Sequence, residues 1–439
     1  MTRHRTSDIG QQNGLNQKKV FSRVGGLGLR SLLLVSGVWC LMPALMGCSA
    51  FLTALPPKSP GQISQEYRHR QGQRHPPPST QPTAQAVLDP GVTDYAGAIH
   101  IHTTYSHDAM GTLEDAVRAA NAQRLDYIII TEHNNLRPLR EGKQGWHGAT
   151  LVLIGMEIST RSGHYLAMNV TQEVDREHLT AQQVIDEVTR QGGFGFIAHP
   201  FFKKARWRDW SVTGFTGIEG YNTAHDTLDE NKLRLALWTI AASQEQFFFS
   251  LLDRPDDPLL MWDQMIQRHG KVVGIGSTDA HEFHALGVRF APYTVMFQLS
   301  RTHVLVRGPL TADAVYDALR AGHTYFSIEL NEEARGFRWM ADDGARVLGI
   351  MGDDVPLQPN LQLTASLPAT AQLTLMKDGH AIARAIRKVW QVPVTEPGAY
   401  RLEASRYSKP WIFSNPIYVR PPSQTADSRL QPAANEPKP

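Results

Sequence analysis

Short apolar runs alternate with longer amphipathic segments between residues 96 and 300. This alternation is typical of β/α units around a parallel sheet or barrel. Thr112 and Thr180 each precede a segment with apolar residues at helical spacing, and a threonine side chain can cap the first turn of a helix. The apolar runs predict seven strands, over residues 97–101, 127–131, 151–158, 165–170, 194–198, 217–220 and 272–276.

Histidine and carboxylate residues stand where these predicted strands end or begin. Parallel barrel strands bring their carboxyl ends to one face, so we expect these side chains to meet at one mouth. In the pairs His100/His102 and Asp279/His281 the residues are two positions apart, and on an extended strand such side chains point the same way. Imidazole and carboxylate groups without thiolate suit zinc, manganese or iron. The full set is His100, His102, Glu132, His133, Glu157, His164, His199, Asp279 and His281.

The pattern changes after residue 322. Thr311 and Gly322 bound one more predicted helix, and a short strand follows over residues 324–328. Residues 335–421 show short alternating runs separated by turn residues, which is typical of a small β-sandwich. The sequence therefore predicts an α/β fold, with a barrel over residues 93–330 and an all-β sandwich domain over residues 335–421.

A basic run precedes an apolar segment at the amino terminus. Residues 31–48 are apolar but contain Pro43, and they fall short of the ~20 apolar residues that a membrane-spanning helix needs. The segment predicts a secretion signal over residues 1–47. Its last four residues, ending in Cys48, resemble the lipobox of bacterial lipoproteins, whose cysteine is lipidated; the alternative is an uncleaved membrane anchor. Both place the folded body outside the cytoplasm, and the lipobox predicts a membrane-anchored lipoprotein on the periplasmic face of the outer membrane.

Two flanking regions have few apolar residues to bury. Residues 48–92 are rich in proline, glutamine, serine and threonine, which predicts a disordered tether. Residues 422–439 are polar and proline-rich, which predicts a disordered tail.

Charge and cysteine content exclude some classes of function. The formal net charge is +2, but the first 47 residues carry six lysines and arginines against one aspartate, so the rest of the chain is weakly acidic. Such a body offers no general cationic surface, and nucleic acid is not expected as a partner. Both cysteines, Cys40 and Cys48, lie in the apolar segment, so the folded body has no disulfide and no thiolate ligand.

Six blocks of sequence carry a resemblance to a known family. They are IHIHT (99–103), ITEHN (130–134), GMEI (155–158), GH (163–164), AHP (198–200) and STDAH (277–281). In this order they resemble the polymerase and histidinol phosphatase (PHP) superfamily of metal-dependent phosphoesterases, in the form of an extracytoplasmic lipoprotein with a C-terminal β-sandwich. The resemblance spans roughly residues 93–320. It implies a distorted seven-stranded (β/α) barrel that holds two or three divalent metal ions.

The resemblance also implies which residues bind the ions. The three sets are His100, His102, Glu157 and Asp279 for one ion, a bridging Glu157 with His164 and His199 for a second, and Asp108, His133 and His281 for a third. Many relatives read Ser-Asp-Gly after the first block, whereas this chain reads Ser106-His107-Asp108. Either His107 or Asp108 could therefore be the ligand, and Asp108 is preferred.

The expected chemistry follows from metal ions that lie close together. Two such ions can share a hydroxide and neutralise phosphoryl oxygens, which favours hydrolysis of a phosphomonoester or phosphodiester. Glu157 would bridge the ions, and Asp279 or His281 would orient the water or protonate the leaving oxygen. Cationic residues near the mouth are candidates to bind the phosphate, although the alternative is a solvated loop. These residues are Arg161, Lys203, Lys204 and Arg206.

Three functions fit these observations. The first is a phosphoesterase of the bacterial cell envelope that acts on a small-molecule or envelope phosphoester. The second uses the same site on carboxyl or carbamate esters. The third is a non-catalytic lipoprotein whose sandwich binds an envelope ligand, and the complete ligand set argues against it, because so many mutually repelling groups are costly to bury for no purpose. The metal and the oligomeric state stay open.

Overall fold

A computed structural model describes residues 88–223, 244–285, 288–330 and 332–422. All of them belong to one compact unit, Lys58–Pro439. The predicted signal peptide with Cys48, and nearly all of the predicted tether and tail, lie outside the described residues. Among the helices of the described ranges, none is long and apolar enough to cross a membrane.

The first half of the described chain forms the predicted α/β barrel. Its strands are β1 Thr93–Ile101, β2 Tyr127–His133, β3 Gly145–His147, β4 Thr150–Thr160, β5 Gly163–Met168, β6 Phe194–Ile197, β7 Gly217–Asn222 and β8 Val273–Ser277. Around the barrel the order is β1, β2, β4, β5, β6, β7 and β8, and β3 pairs with β4 alone. The barrel closes where β8 meets β1, through a bridge between Ile101 and Ala280 and a 3.0 Å hydrogen bond from the Thr278 N–H to the Ile99 carbonyl.

One strand departs from the parallel arrangement. β5 is antiparallel to both β4 and β6, whereas β1, β2 and β4, and likewise β6, β7 and β8, run parallel. Only Arg161 and Ser162 connect β4 to β5, and so short a connection can form a hairpin but not a parallel crossover. The strand predicted over residues 165–170 therefore begins earlier, and His164 lies on it instead of before it.

Helices cover the outside of the barrel. They are α1 Leu113–Ala122, α2 Arg137–Arg140, α3 Ala181–Arg190, α4 Gln244–Leu251, α5 Asp256–His269, α6 Tyr293–Leu299 and α7 Ala312–Ala321. The predicted caps are confirmed, since the Thr112, Thr180 and Thr311 side chains each accept a hydrogen bond from the first turn of their helix. Gly322 ends α7 at φ 76°, a left-handed conformation that glycine adopts readily.

Side chains alternate between the barrel interior and the helical layer. Ile129 of β2 and Leu153 of β4 belong to an interior cluster that also holds residues of β6, β8 and α7. Their neighbours Ile128 and Val152 belong to the larger cluster under the helices. This two-sided burial explains why the strands read as continuous apolar runs. Glu157 lies on the same side of β4 as Leu153, so the interior row ends in a carboxylate.

The second half of the described chain is rich in strands. They are β9 Phe283–Ala285, β10 Val288–Phe290, β11 Arg301–Val306, β12 Thr324–Ser327, β13 Arg338–Asp342, β14 Val347–Ile350, β15 Asp354–Pro356, β16 Gln362–Lys377, β17 His380–Pro393, β18 Gly398–Arg406, β19 Lys409–Ser414 and β20 Ile417–Arg420. β13 to β20 form the predicted sandwich. Asp378 and Gly379 form the turn that joins β16 to β17 as a hairpin.

The long strands β16 and β17 contribute to both sheets of the sandwich. Their pairing is interrupted between Ser366 and Ala371. Before the interruption β16 pairs with β13, and after it with β18. Leu363 and Leu373, one from each half, belong to the same buried cluster.

The barrel and the sandwich are joined by strand pairing. β11 pairs antiparallel with β1, β12 with β11, and β19 of the sandwich with β12, so one ladder of hydrogen bonds runs from the barrel into the sandwich. The fully buried rings of Phe326 on β12 and Phe413 on β19 stack with centroids 5.0 Å apart.

Candidate metal centre

Glu157 is the centre of a histidine cluster at the carboxyl end of β4. Its side chain is 1% exposed, and nitrogen atoms of five histidines contact its two carboxylate oxygens. The contacting nitrogens are His100 Nε2 at 3.3 Å, His102 Nε2 at 3.3 Å, His133 Nδ1 at 2.8 Å, His164 Nδ1 at 2.7 Å and His199 Nε2 at 2.9 Å. Strands β1, β2 and β5 and the loops after β1 and β6 supply these rings, so segments far apart in sequence meet at one carboxylate.

A second carboxylate enters the cluster from the loop after β8. Asp279 Oδ1 lies 3.4 Å from the Nε2 atoms of both His100 and His102. The Nδ1–H of His281 donates to the Asp279 carbonyl oxygen at 2.8 Å, which turns Nε2 of His281 toward the cluster. The His281 ring stacks on His102 with centroids 4.3 Å apart.

The loop after β1 places Asp108, and not His107, against the cluster. Asp108 Oδ2 lies 3.2 Å from His133 Nε2 and 3.5 Å from His281 Nε2. The His107 side chain is 81% exposed, and its Nε2 lies 3.9 Å from the Asp108 carboxylate. Of the two residues that the sequence left open, the geometry favours Asp108.

Glu219 of β7 orients two of the histidines from behind. The Nδ1–H of His100 donates to Glu219 Oε1 at 2.7 Å, and the backbone N–H of His199 donates to Oε2 at 2.5 Å. Asn222 also donates to Oε2, at 2.9 Å. A carboxylate behind a histidine fixes its tautomer and leaves Nε2 of His100 free to act as a ligand.

Glu132 is a functional residue whose role the sequence reasoning missed. It stands next to His133, but its fully buried carboxylate turns away from the cluster toward the loop after β1. It accepts from the Thr103 N–H at 3.1 Å and the Thr103 hydroxyl at 2.6 Å, and also from the Ser106 hydroxyl. Glu132 therefore fixes the loop that carries Asp108, and alternation along β2 was the available signal, since it places neighbours on opposite faces.

The expected extended conformation of the paired ligands is wrong. His100 has φ 65°, Asp279 φ 50° and His199 φ 24°, all in a region that residues other than glycine rarely adopt. The backbone leaves strand geometry at each of these positions. His100 lies where the pairing of β1 with β2 shifts register between Ile99 and Ile101, and Asp279 and His281 follow the end of β8, so neither pair rests on the regular two-residue alternation of a strand. Such backbone outliers cluster at functional sites.

Charge in the cluster is strongly coupled. Burial opposes protonation of His100, but Asp279, Glu157 and Glu219 outweigh it and raise the pKa of His100 above its usual range. Burial likewise opposes protonation of His133, yet Asp108 and Glu157 raise its pKa to about 10. Although burial favours the neutral acid, the surrounding imidazoles hold the pKa of Glu157 well below its usual value. The carboxylates are therefore anionic at neutral pH and favour a cation among the histidines.

The donor set fits divalent metal ions. The Nε2 atoms of His100 and His102 are buried and make no hydrogen bond, which is costly unless another partner is present. Four groups of three residues each bring ligand atoms within 4.8 Å of one another. They are His100/His102/Asp279, His100/Glu157/His199, His133/Glu157/His164 and His102/His133/His281. Nitrogen and oxygen donors without sulfur suit zinc, manganese or iron.

The predicted phosphate-binding cations are not all at the site. Lys203 and Arg206 line a cavity next to the cluster, which His199, Glu219 and Asn222 also line. Lys204 and Arg161 are exposed and do not line this cavity, and Arg161 donates to the Glu177 carbonyl at 2.9 Å. The structure thus brings two of the four cations beside the histidine cluster.

Comparison with known family models gives one match. Residues 98–244 match the model of the PHP domain. No curated protein matches the chain. The match covers the strands that carry His100 to His199, and together with the cluster it supports a metal-dependent hydrolase of that superfamily.

Several solved structures resemble the fold distantly. A two-domain protein from Bacteroides vulgatus, described as containing a predicted PHP-like metal-dependent phosphoesterase, is 15% identical, with 77% of this chain and 100% of that chain covered and a TM-score of 0.39. PsfC from Pseudomonas syringae is 13% identical, with 51% and 88% covered and a TM-score of 0.34. An amidohydrolase from Chromobacterium violaceum is 12% identical, with 42% and 87% covered and a TM-score of 0.29. These likenesses are too distant to assign an activity to this chain.

Proposed function

We propose, on the premise that residues 98–244 are a PHP domain, that this protein is a metal-dependent phosphoesterase that hydrolyses phosphomonoesters or phosphodiesters. The observation that carries the proposal is the convergence of five histidines on the buried Glu157, beside a cavity lined by Lys203 and Arg206. A site that combines cation-binding groups with cationic side chains along its cavity suits an anionic substrate.

The chemistry that bound metal ions would supply is well defined. Two divalent ions lower the pKa of water toward neutrality and neutralise charge on phosphoryl oxygens. The residues of this chain that would hold them are the nine ligand candidates. They are His100, His102, Asp108, His133, Glu157, His164, His199, Asp279 and His281.

Protein groups supply orientation and proton transfer. Lys203 and Arg206 bind the phosphate oxygens and hold the ester in the cavity beside His199. Glu157, Asp279 and His281 take the catalytic roles. Glu157 sets the spacing of the site, and the Asp279 carboxylate, at the partly exposed mouth, takes or returns a proton through the oxygen that does not bind an ion. His281 positions Asp279 through the hydrogen bond from its Nδ1–H to the Asp279 carbonyl.

The test uses Glu157→Gln, which removes the central charge and changes little else. We expect turnover of p-nitrophenyl phosphate or its bis ester by wild type after chelation and metal restoration, and loss of both turnover and bound metal in the variant. Glu329→Gln is the matched control, because Glu329 is equally buried and contacts His303 outside the cluster. It should keep its metal content. Turnover of p-nitrophenyl acetate alone would contradict the phosphoester assignment and favour carboxyl or carbamate esters, and no turnover of any ester with metal bound would favour a binding lipoprotein.

We further propose that the protein is an envelope lipoprotein anchored through Cys48. The apolar segment over residues 31–48 and its lipobox-like end support this location. Cys48→Ala should release the protein from the membrane fraction of a bacterial host. Continued membrane association of this variant would instead favour the uncleaved anchor.

A further inference from the structure

β17 forms a long free edge of the sandwich. It pairs with β16, and no other described strand pairs with it. Its exposed side chains include Ile382 and Ile386, which are 51% and 61% exposed, and the cations Arg384, Arg387 and Lys388. We call these five residues the β17 ridge.

The positive charge of the β17 ridge is available to an external anion. No aspartate or glutamate occurs between His380 and Pro393. Within the part of the chain that the structure describes, no carboxylate forms a salt bridge with Arg384, Arg387 or Lys388. Many other surface arginines do form one, as Arg190 does with Glu187.

Protection of the sheet edge does not explain the whole ridge. Basic side chains on an edge strand discourage pairing with other molecules, and this role needs charge alone. Exposed isoleucines on the same edge have the opposite effect, because they favour association. The two isoleucines therefore call for a partner that is both anionic and apolar.

Arg384 and Ile386 share an outward face, whereas Arg387 lies opposite Ala371 and so on the other face of the edge strand. Arg384 lies opposite Thr374 and Ile386 opposite Gln372 in a stretch of regular register, so the two point the same way. The intervening Ala385 lies opposite Leu373, which is in the buried core of the sandwich. Basic and apolar groups side by side along one exposed edge match a lipid surface, where phosphates lie above hydrocarbon.

We propose that the β17 ridge docks on a membrane surface rich in anionic phospholipid. Its cations lie at the lipid phosphates, and Ile382 and Ile386 reach below them. A soluble polyanion would use the charges but not the isoleucines, and an extended peptide added to β17 would use the backbone edge but not the charges. The proposal depends neither on the esterase activity nor on Cys48.

The test is sedimentation with lipid vesicles. The full chain is used with Cys48→Ser, so that no lipid is attached, and with phosphatidylcholine vesicles that either contain or lack phosphatidylglycerol. We expect stronger binding to the anionic vesicles. Arg384→Gln/Arg387→Gln/Lys388→Gln should weaken that binding about a hundredfold, as loss of three cations near an anionic surface implies. Ile382→Ser/Ile386→Ser should weaken it about tenfold and remain impaired in high salt, where charge is screened.

The matched control removes the same charge elsewhere. Arg118, Arg190 and Arg346 are exposed and each pairs with an acid three residues away, so their triple glutamine variant should keep wild-type vesicle binding. If this control loses as much vesicle binding as the ridge variant, the net charge of the protein explains the binding and the proposal is overturned. Binding to dextran sulfate that is insensitive to the isoleucine changes overturns it in favour of a soluble polyanion. A dimer that dissociates in the ridge variants overturns it in favour of a second copy.

Discussion

Asp108 is held at the histidine cluster by its contacts and not by a strand. It lies on the loop after β1, its side chain is 40% exposed, and Oδ2 faces both His133 and His281. We expect Asp108→Ala to lower the metal content measured by mass spectrometry and to reduce turnover at least tenfold. His107→Ala is the control, and it should keep full metal content because His107 points to solvent. Equal metal loss in both variants would show that the loop is assigned incorrectly.

His303 belongs to a second buried network, remote from the candidate metal centre. Its Nδ1 lies 2.8 Å from Asp94 and its Nε2 2.7 Å from Glu329. Burial opposes protonation, but the two carboxylates raise the pKa of His303 to about 9. Imidazole and carboxylates together can also hold a metal, but here both ring nitrogens are occupied, so the network is structural.

The His303 network predicts a loss of stability toward alkaline pH. A raised pKa means that the protonated ring stabilises the fold fully below its unfolded pKa of ~6.5, and that this contribution disappears as the pH rises through about 9. Urea unfolding should show wild type more stable than His303→Gln near neutral pH, with a difference that narrows at alkaline pH. A difference that stays constant would show that His303 is not protonated in the fold.

The same network predicts a second loss toward acid. Burial alone would raise the pKa of Glu329, but Arg301 and His303 outweigh it and lower this pKa to about 2. The pKa of Asp94 is lowered as well, because His303 outweighs its burial. Their contribution is therefore present above the ordinary carboxyl range and is lost as the pH falls toward 2. The unfolding free energy of the wild type should therefore fall as the pH drops from about 4 toward 2. The same series of urea unfolding experiments, extended to acid pH, measures this fall.

The ligand types could be predicted from sequence, but their local geometry could not. Histidines and carboxylates at the ends of apolar runs are visible as a pattern, and their types indicate the chemistry. The positive φ values of His100 and Asp279 could not be predicted from the sequence, because glycine, the usual sign of a positive φ, does not occur at those positions. The orienting role of Glu219 depends on a contact across 119 residues, which one sequence does not reveal.

Strands were predicted more reliably than their directions. β2 and β4 were placed within two residues of their observed bounds, because strands buried on both faces read as continuous apolar runs. The antiparallel direction of β5 was missed, although the short gap between β4 and β5 was a usable signal. At the end of the sandwich, β19 and β20 are separated at Asn415 and Pro416, since proline has no N–H to continue a ladder.

A buried ion pair joins helix α5 to strand β18. Arg401 donates to both oxygens of Asp263, at 2.9 and 2.7 Å, and both side chains are nearly inaccessible. Arg401 also contacts Glu403, which Arg254 holds with two 2.8 Å hydrogen bonds. The pair therefore fixes a barrel helix to the sandwich.

Removing one partner of this pair should cost more than removing both. We expect Arg401→Met to lower the free energy of unfolding by about 3–5 kcal/mol, because it leaves Asp263 buried without its partner. Asp263→Leu with Arg401→Met should recover part of that loss, since neither charge is then stranded. Guanidinium unfolding of the two single variants and the double variant gives the coupling energy. Strictly additive losses would mean that the pair contributes no interaction of its own.

In the whole molecule, Asn415 connects the sandwich to the barrel wall. Its fully buried amide accepts from the Gly274 N–H at 2.8 Å, and donates to the Gly274 and Thr324 carbonyls at 2.9 and 2.8 Å. Asn415→Ala removes all three of these buried hydrogen bonds. We expect a loss of about 2–4 kcal/mol in unfolding free energy, with a single transition for barrel and sandwich together. A variant with the unfolding free energy of the wild type would show that other contacts hold the two halves together.

The pairing of β19 with β12 has a consequence for how the gene can evolve. A barrel that lost its C-terminal half would expose the edge of β12, an open template on which further copies could assemble. Recombination that separated the two halves would therefore be penalised at once by aggregation. Barrel and sandwich should accordingly have been transmitted through evolution as one indivisible gene segment.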